Sequence, residues 1–399
     1  MIHEKLKKYL SFDEEQKFYS FSGQKEVNSM GNEKAPEKIG IGPLGRGGGV
    51  IQFIVFAIIG IVVFVYCISP ESIVLKIIPA TLIMLIALGH LVLLGDNWPW
   101  APPAGNWTPA KSRFAAGLGM TIIWAIFTFA VLLFMRFIYP QWPIGPLYLW
   151  FGVIGFWATL LYGVNWGGWP FKGKVHPWGM MAISFVIVMA VSILIWNFLT
   201  NLEGTPLANT PMNHKGPLNV NWLTGYLVWA IAWFFVFSPV FTTQGWPFGK
   251  WGQPGAAIGQ TILAHILSYI FWSGSLALGV SPTFSFAAVG SSLIFWSLVH
   301  SWHVQFWGVT KLTLFKRAIS AFILQCIIIA IWVIIIRPIL GPAAGAIAAA
   351  KLPADVNILV IYLNLCVMGP ALIAHNAFWL RWPLTLPNPP GTPPPDQAA

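Results

Sequence analysis

Charge is what this chain has least of. Only 9% of its 399 residues are Asp, Glu, Lys or Arg, against roughly 25% in soluble domains, so it cannot cover a water-facing surface of its own size. Acids are scarcer still, and in the apolar part only Glu71, Asp96, Glu203 and Asp355 occur, each at the edge of a hydrophobic run or in a loop. That argues against ion coupling through a buried carboxylate, the commonest use of an intramembrane acid. It also argues against an enzyme acting on lipid, which needs an acidic or metal-binding cluster.

Cysteine is nearly absent. Cys67, Cys326 and Cys366 lie far apart inside apolar runs, without C-x-x-C or Cys/His ligand spacing, and read as free small hydrophobes. There is no C-x-x-C-H haem attachment, no H-E-x-x-H zinc motif and no nucleotide-binding loop. The net charge of +10 is not a nucleic-acid footprint, which gathers Lys and Arg into one patch with aromatics between them. Eight of the 22 basic residues lie in the first 48 positions, and most of the others sit singly or in pairs at the ends of apolar runs.

Hydrophobic residues make up 57% of the chain, and mean hydropathy is +0.71. Apolar runs fall at 49–68, 72–95, 113–138, 144–165, 179–200, 221–243, 257–280, 283–305, 313–338 and 356–379, each about the twenty residues that one bilayer crossing needs. Lipid offers backbone groups no partner, so each run is expected to be a helix; a barrel would show alternating segments of about ten residues. The expected fold is an all-α integral membrane protein of about ten transmembrane helices. Residues 1–48 read as a disordered cytoplasmic tail, 49–384 as the polytopic domain and 385–399 as a Pro-rich cytoplasmic tail. With ten crossings, 17 basic residues fall on the side of the termini and five on the other: Lys76, Arg136, Lys215, Arg337 and Lys351. The positive-inside rule then places both termini in the cytoplasm of a cell (inner) membrane.

A motif recurs where each even-numbered run meets the cytoplasm: NWPW at 97–100, GWPF at 168–171, GWPF at 245–248, FWGV at 306–309 and RWPL at 381–384. Its tryptophans, Trp98, Trp169, Trp246, Trp307 and Trp382, are spaced so that two crossings separate neighbours. The pattern implies five tandem two-helix repeats of the same orientation, related by pseudo-rotation about the membrane normal. Indole prefers the interface and proline stops a helix, so anchoring alone also accounts for each copy. Packing between neighbouring pairs would instead bury the indoles. Nearby Lys172, Lys174, Lys250 and Lys311 are placed to reach lipid phosphates.

Histidine is the type inside the runs that titrates near neutral pH. His90, His265, His300 and His375 fall at similar depth, an arrangement open to interhelical hydrogen bonding, to b-type haem or quinone binding, or to a substrate path. Twenty-three tryptophans exceed what anchoring requires. Trp233 and Trp272, with Ser273, His265, His300 and Asn364, are the candidate substrate-binding set, an aromatic surface suited to a small cation such as a methylated amine. The leading expectation is a permease for a small organic solute, without cofactor, metal or catalytic residues. The alternative is a membrane subunit of a redox complex that binds haem b or quinone. Expected partners are the bilayer and the solute, not nucleic acid, with a second copy or a complex subunit left open. One outcome tests the topology. After removal of the native cysteines, Lys215→Cys should react with a membrane-impermeant maleimide on intact cells and Lys174→Cys only after permeabilisation; the reverse pattern would invert the orientation.

Overall fold

The computed structural model describes residues 45–63, 65, 69, 78–99, 110–142, 145–238, 243, 245–295, 312–349 and 355–379, and over these the chain is almost wholly helical. Its helices are α1 (Gly45–Val62), α2 (Ile78–Gly89, continued by a wide π turn His90–Leu94), α3 (Ala110–Ile138), α4 (Pro146–Leu160, with a π turn Leu161–Asn165) and α5 (Pro177–Leu194, with a π turn Ile195–Leu199). After these come α6 (Val220–Phe237), α7 (Gly255–Ala277), α8 (Pro282–Leu293), α9 (Leu314–Ala349) and α10 (Val356–Ala377). Seven of them, α3, α4, α5, α6, α7, α9 and α10, are long and apolar enough to cross a membrane. The apolar stretches Val50–Val62 of α1 and Ala80–Leu94 of α2 are shorter.

Local chemistry sets many of the ends. Proline opens α4, α5 and α8, where its fixed φ suits the first turn and its missing N–H would have been unpaired anyway. Asn219 caps α6 by accepting from the Asn221 and Trp222 amides, and Asp355 caps α10 by accepting from the Asn357 amide. Two boundaries differ from the hydropathy reading. α1 begins at Gly45, inside the segment expected as tail. α9 runs on through Pro338 and Pro342 to Ala349, because its face at Leu340, Ala343 and Ile347 is buried against protein, and packing there outweighs the ladder bonds that the prolines remove. In α10 the ladder widens over Tyr362–Met368, with the Gly369 N–H donating to the Asn364 carbonyl, just before Pro370.

The helices form two layers. α2 packs on α4, α4 on α6, α6 on α8, α8 on α10 and α10 back on α2, which closes a ring. α3 lies outside α2, α5 outside α4, α7 outside α6, α9 outside α8 and α10, and α1 outside α10. Burial follows the layers: 72% of the apolar window is buried in α4, α6 and α10, against 28, 28, 39 and 22% in α3, α5, α7 and α9. Outer helices turn large apolar side chains outward, among them Ile126, Phe137, Val186, Phe198 and Ile334, as lipid contact requires.

Neighbours within the ring run parallel. On α4, Gly152 meets Leu82, Gly155 meets Ile86, Thr159 meets Gly89 and Gly163 meets Leu93, so the contacts advance together along both helices. A methyl group added at Gly152 would sit 2.7 Å from Leu82 Cβ, and one at Gly155 would sit 2.6 Å from Ile86 Cδ1. Small residues let two backbones approach where lipid supplies no hydrophobic drive. The same direction holds for α4 and α6, where Trp150 donates to Asn221, and for α8 and α10, where Asn357 donates to Thr283 and Asn364 to Ser291. A substitution checks this packing. Gly155→Leu should lower stability by about 1–3 kcal/mol through overpacking, read as a reduced unfolding midpoint in detergent; an unchanged midpoint would mean that α2 and α4 are not in close contact.

Candidate functional site

The corners at the ends of the inner helices are the most regular feature. After α2, the Gly95 amide donates to the His90 carbonyl (2.7 Å), Asn97 to Leu91 (2.9 Å) and Trp98 to Gly95 (2.9 Å). After α4, 71 positions on, Trp166 donates to Leu161 (3.0 Å), Gly168 to Tyr162 (2.9 Å) and Trp169 to Trp166 (2.9 Å). The backbone turns left-handed in both, at Asp96 and Asn97 in the first and at Gly167 and Gly168 in the second, a conformation that Asn, Asp and Gly tolerate best. The third corner keeps the bond from Trp246 to Thr243 (3.0 Å) and a left-handed Gly245. The Trp–Pro bonds of these three corners, at 98–99, 169–170 and 246–247, are cis. Trp307 and Trp382, the remaining motif tryptophans, lie outside the described residues.

The indoles of these corners are not buried as packing between neighbouring pairs would require. Trp98 and Trp169 keep 39 and 38% of their surface exposed, because both sit at the rim of the bundle. Each corner instead abuts the start of an outer helix further round the ring. Trp98 meets His176 at the head of α5 (centroids 5.2 Å), Gln253 just before α7 donates to the Trp166 carbonyl (3.5 Å), and Trp246 meets Phe315 at the head of α9 (6.0 Å). Lys172 is also not directed at lipid phosphate. Its Nζ lies 2.9 Å from Asp96 Oδ1 and donates to the Leu93 carbonyl at 2.6 Å, tying the first corner to the second.

The described histidines occupy separate sectors. His90 on α2 is buried between Phe127 of α3 and Phe185 of α5, and its Nδ1 donates to the Ile86 carbonyl (2.8 Å). His265 on α7 is half-buried, shares a 2.7 Å hydrogen bond with Tyr226 of α6 and lies against Trp157 of α4 and Phe234. His375 on α10 accepts from the Gln52 amide of α1 and rests on Phe56. These sets of neighbours do not overlap. His300 lies outside the described residues. Gln52 and Tyr226, neither conspicuous in the sequence, were the missing partners; a lone glutamine in the apolar run of α1 was the available signal for the first.

The expected substrate set is also dispersed. Trp272 is fully buried against Gly225, where an added methyl group would stand 2.3 Å from its ring. Trp233 is stacked between Phe237 and Phe322 and touches Phe271. Gly225 and Trp233 stand roughly 12 Å apart along α6 at 1.5 Å per residue. Ser273 is half-buried on α7. Asn364 belongs to another interface, donating to Ser291 of α8 (2.7 Å) and accepting from Trp332 of α9 (3.2 Å). No group of three or more His, Cys, Asp or Glu that could hold a metal occurs among the described residues.

No family model matches the chain, nor does any curated protein or solved structure. Function therefore rests on the site and its physics. The clamp between corners yields a direct measurement. In a double-mutant cycle of Asp96→Asn and Lys172→Met, thermal unfolding should show coupling of about 1 kcal/mol; additive effects would mean that the two side chains do not interact.

Proposed function

We propose that the chain is a multi-pass permease of the cell inner membrane, with both termini cytoplasmic, that conducts a small uncharged organic solute along the axis of its inner helix ring. The observation that carries this reading is the closed ring of parallel helices. Five helices about 9 Å apart set their axes roughly 8 Å from the centre, so only side chains fill the axis and a route can open by their movement. We read the ten helices as ten crossings in five two-helix repeats. The matched hydrogen bonds of the first two corners and the repeated relation of α2 to α5, α4 to α7 and α6 to α9 support that symmetry.

The solute class follows from the lining available. The described residues of α2, α4, α6, α8 and α10 include no Lys, Arg, Asp or Glu, and an ion without a partner inside a bilayer carries a large desolvation cost. A cage for a methylated amine is not supported, since Trp233 and Trp272 are each consumed by packing. Haem held by two of His90, His265 and His375 is not supported either, because each imidazole is engaged in a different sector. The Ser291–Asn364 bond between α8 and α10, extended outward by Trp332 of α9, is one polar contact within the ring that opening a route for a neutral solute would disturb.

Proteoliposomes test the proposal. Uptake of labelled small alcohols and amides should exceed that of protein-free vesicles several-fold, with tetramethylammonium excluded. Asn364→Leu, checked for an intact unfolding transition, should reduce that uptake at least threefold. Vesicles with protein that are no more permeable than empty ones would sink the reading.

A further inference from the structure

The third corner gathers buried oxygens that the protein does not pair. α6 ends at its C-cap Ser238, where Pro239 brings no N–H to continue the ladder, and the negative end of the helix dipole lies there. The corner folds back on that last turn. Thr243 donates its amide (3.2 Å) and its hydroxyl (2.7 Å) to the Val236 carbonyl, and the Gly245 amide donates to the Ser238 carbonyl (3.1 Å). From α7, Gln260 donates Nε2 to the Gly245 carbonyl at 3.1 Å. A carbonyl only accepts, so this bond fixes the orientation of the Gln260 amide and leaves Oε1 over. Oε1 has no hydrogen-bond partner, and neither has Ser238 Oγ. Asn165, which closes the π turn of α4, turns Nδ2 toward Thr261 Oγ1 beside Gln260 (3.5 Å), and its Oδ1 also has no partner. Ser238, Gln260 and Asn165 are all 0% exposed.

We propose that the junction of α4, α6 and α7 binds a monovalent alkali cation, with Gln260 Oε1, Ser238 Oγ and Asn165 Oδ1 among its ligands. These helices meet there, since both α6 and α7 pack on the π turn of α4 as well as on each other. Amide oxygens cannot donate to one another, and leaving them dry and unpaired is costly. A positive charge satisfies several acceptors at once, and the end of α6 favours it further. Sodium sites in transporters use the same elements, carbonyl-rich helix ends and uncharged oxygens. Divalent ions do not fit, because they take carboxylates and no Asp or Glu occurs between Val220 and Ala277. Lys250, the charged residue of this corner, is exposed at the rim. Bound here, the ion fastens two ring helices to an outer one.

Ion binding to the purified full chain in detergent tests this. Radiolabelled Na⁺ or Rb⁺ should bind saturably at an ionic strength held constant with choline chloride, and the thermal unfolding midpoint should rise in NaCl or KCl above its value in equal choline chloride. Gln260→Met, which keeps the length of the side chain, and Ser238→Ala should each weaken binding about tenfold or more, the size of one bond to a charged group. Gln253→Met, at the exposed rim of the same corner, should bind as the wild type does. An unfolding transition in choline chloride verifies that each variant folds. Absence of saturable binding of either ion, equal midpoints in all three salts, or binding that survives both Gln260→Met and Ser238→Ala overturns the proposal and assigns these oxygens to buried water. The readout involves no transport, so its failure is distinct from failure of the permease reading.

Discussion

Hydrocarbon satisfies no backbone N–H or C=O group and gains nothing by squeezing apolar helices together. Everything in this fold answers to that pair of conditions. Helices close their own hydrogen bonds, and contact between them must come from fit. Gly152, Gly155 and Thr159 on α4 receive Leu82, Ile86 and Gly89 of α2 in step, and a shared step is available only to helices that run the same way. Parallel neighbours cannot be joined by a short turn, so the chain must return through the other layer. The antiparallel outer helices supply that return, cover the ring and offset its aligned helix dipoles.

The corners are where the apolar and polar requirements meet. An inner helix ends with carbonyls that have lost their partners, at a depth where water and headgroups begin. The π turns at His90–Leu94 and Leu161–Asn165 and the left-handed residues after them bring amides back to those carbonyls. Lys172 supplies a further donor to Leu93 and a countercharge to Asp96. The half-exposed tryptophans occupy the interface that indole prefers and touch the next layer at the same time.

Several polar side chains inside the bundle are spent locally. Asn364, Ser291 and Trp332 satisfy one another between α8, α9 and α10, and Tyr226 holds His265 between α6 and α7. His90, between Phe127 and Phe185, bonds the Ile86 carbonyl of its own helix. Among the described residues charge is confined to rims and outer helices, which leaves the ring with fit and hydrogen bonding as its means of discrimination.

By itself the sequence determined that the chain is a helical membrane protein and where most helices lie, because apolar stretches such as those from Pro146 to Asn165 and after the Asn219 cap have no other stable state in lipid. It also showed the recurring Trp–Pro corners, since their chemistry is local to a few residues. The tertiary structure alone decided which helices are inner and which are outer. A helix such as α6 is apolar all round, so no periodicity marks a face. The pairing of Lys172 with Asp96, of Gln52 with His375 and of Trp272 with Gly225 depends on the offset and rotation of segments that are 47 to 323 positions apart. Those offsets come from many small side-chain fits summed over whole helices, which no single stretch of sequence contains.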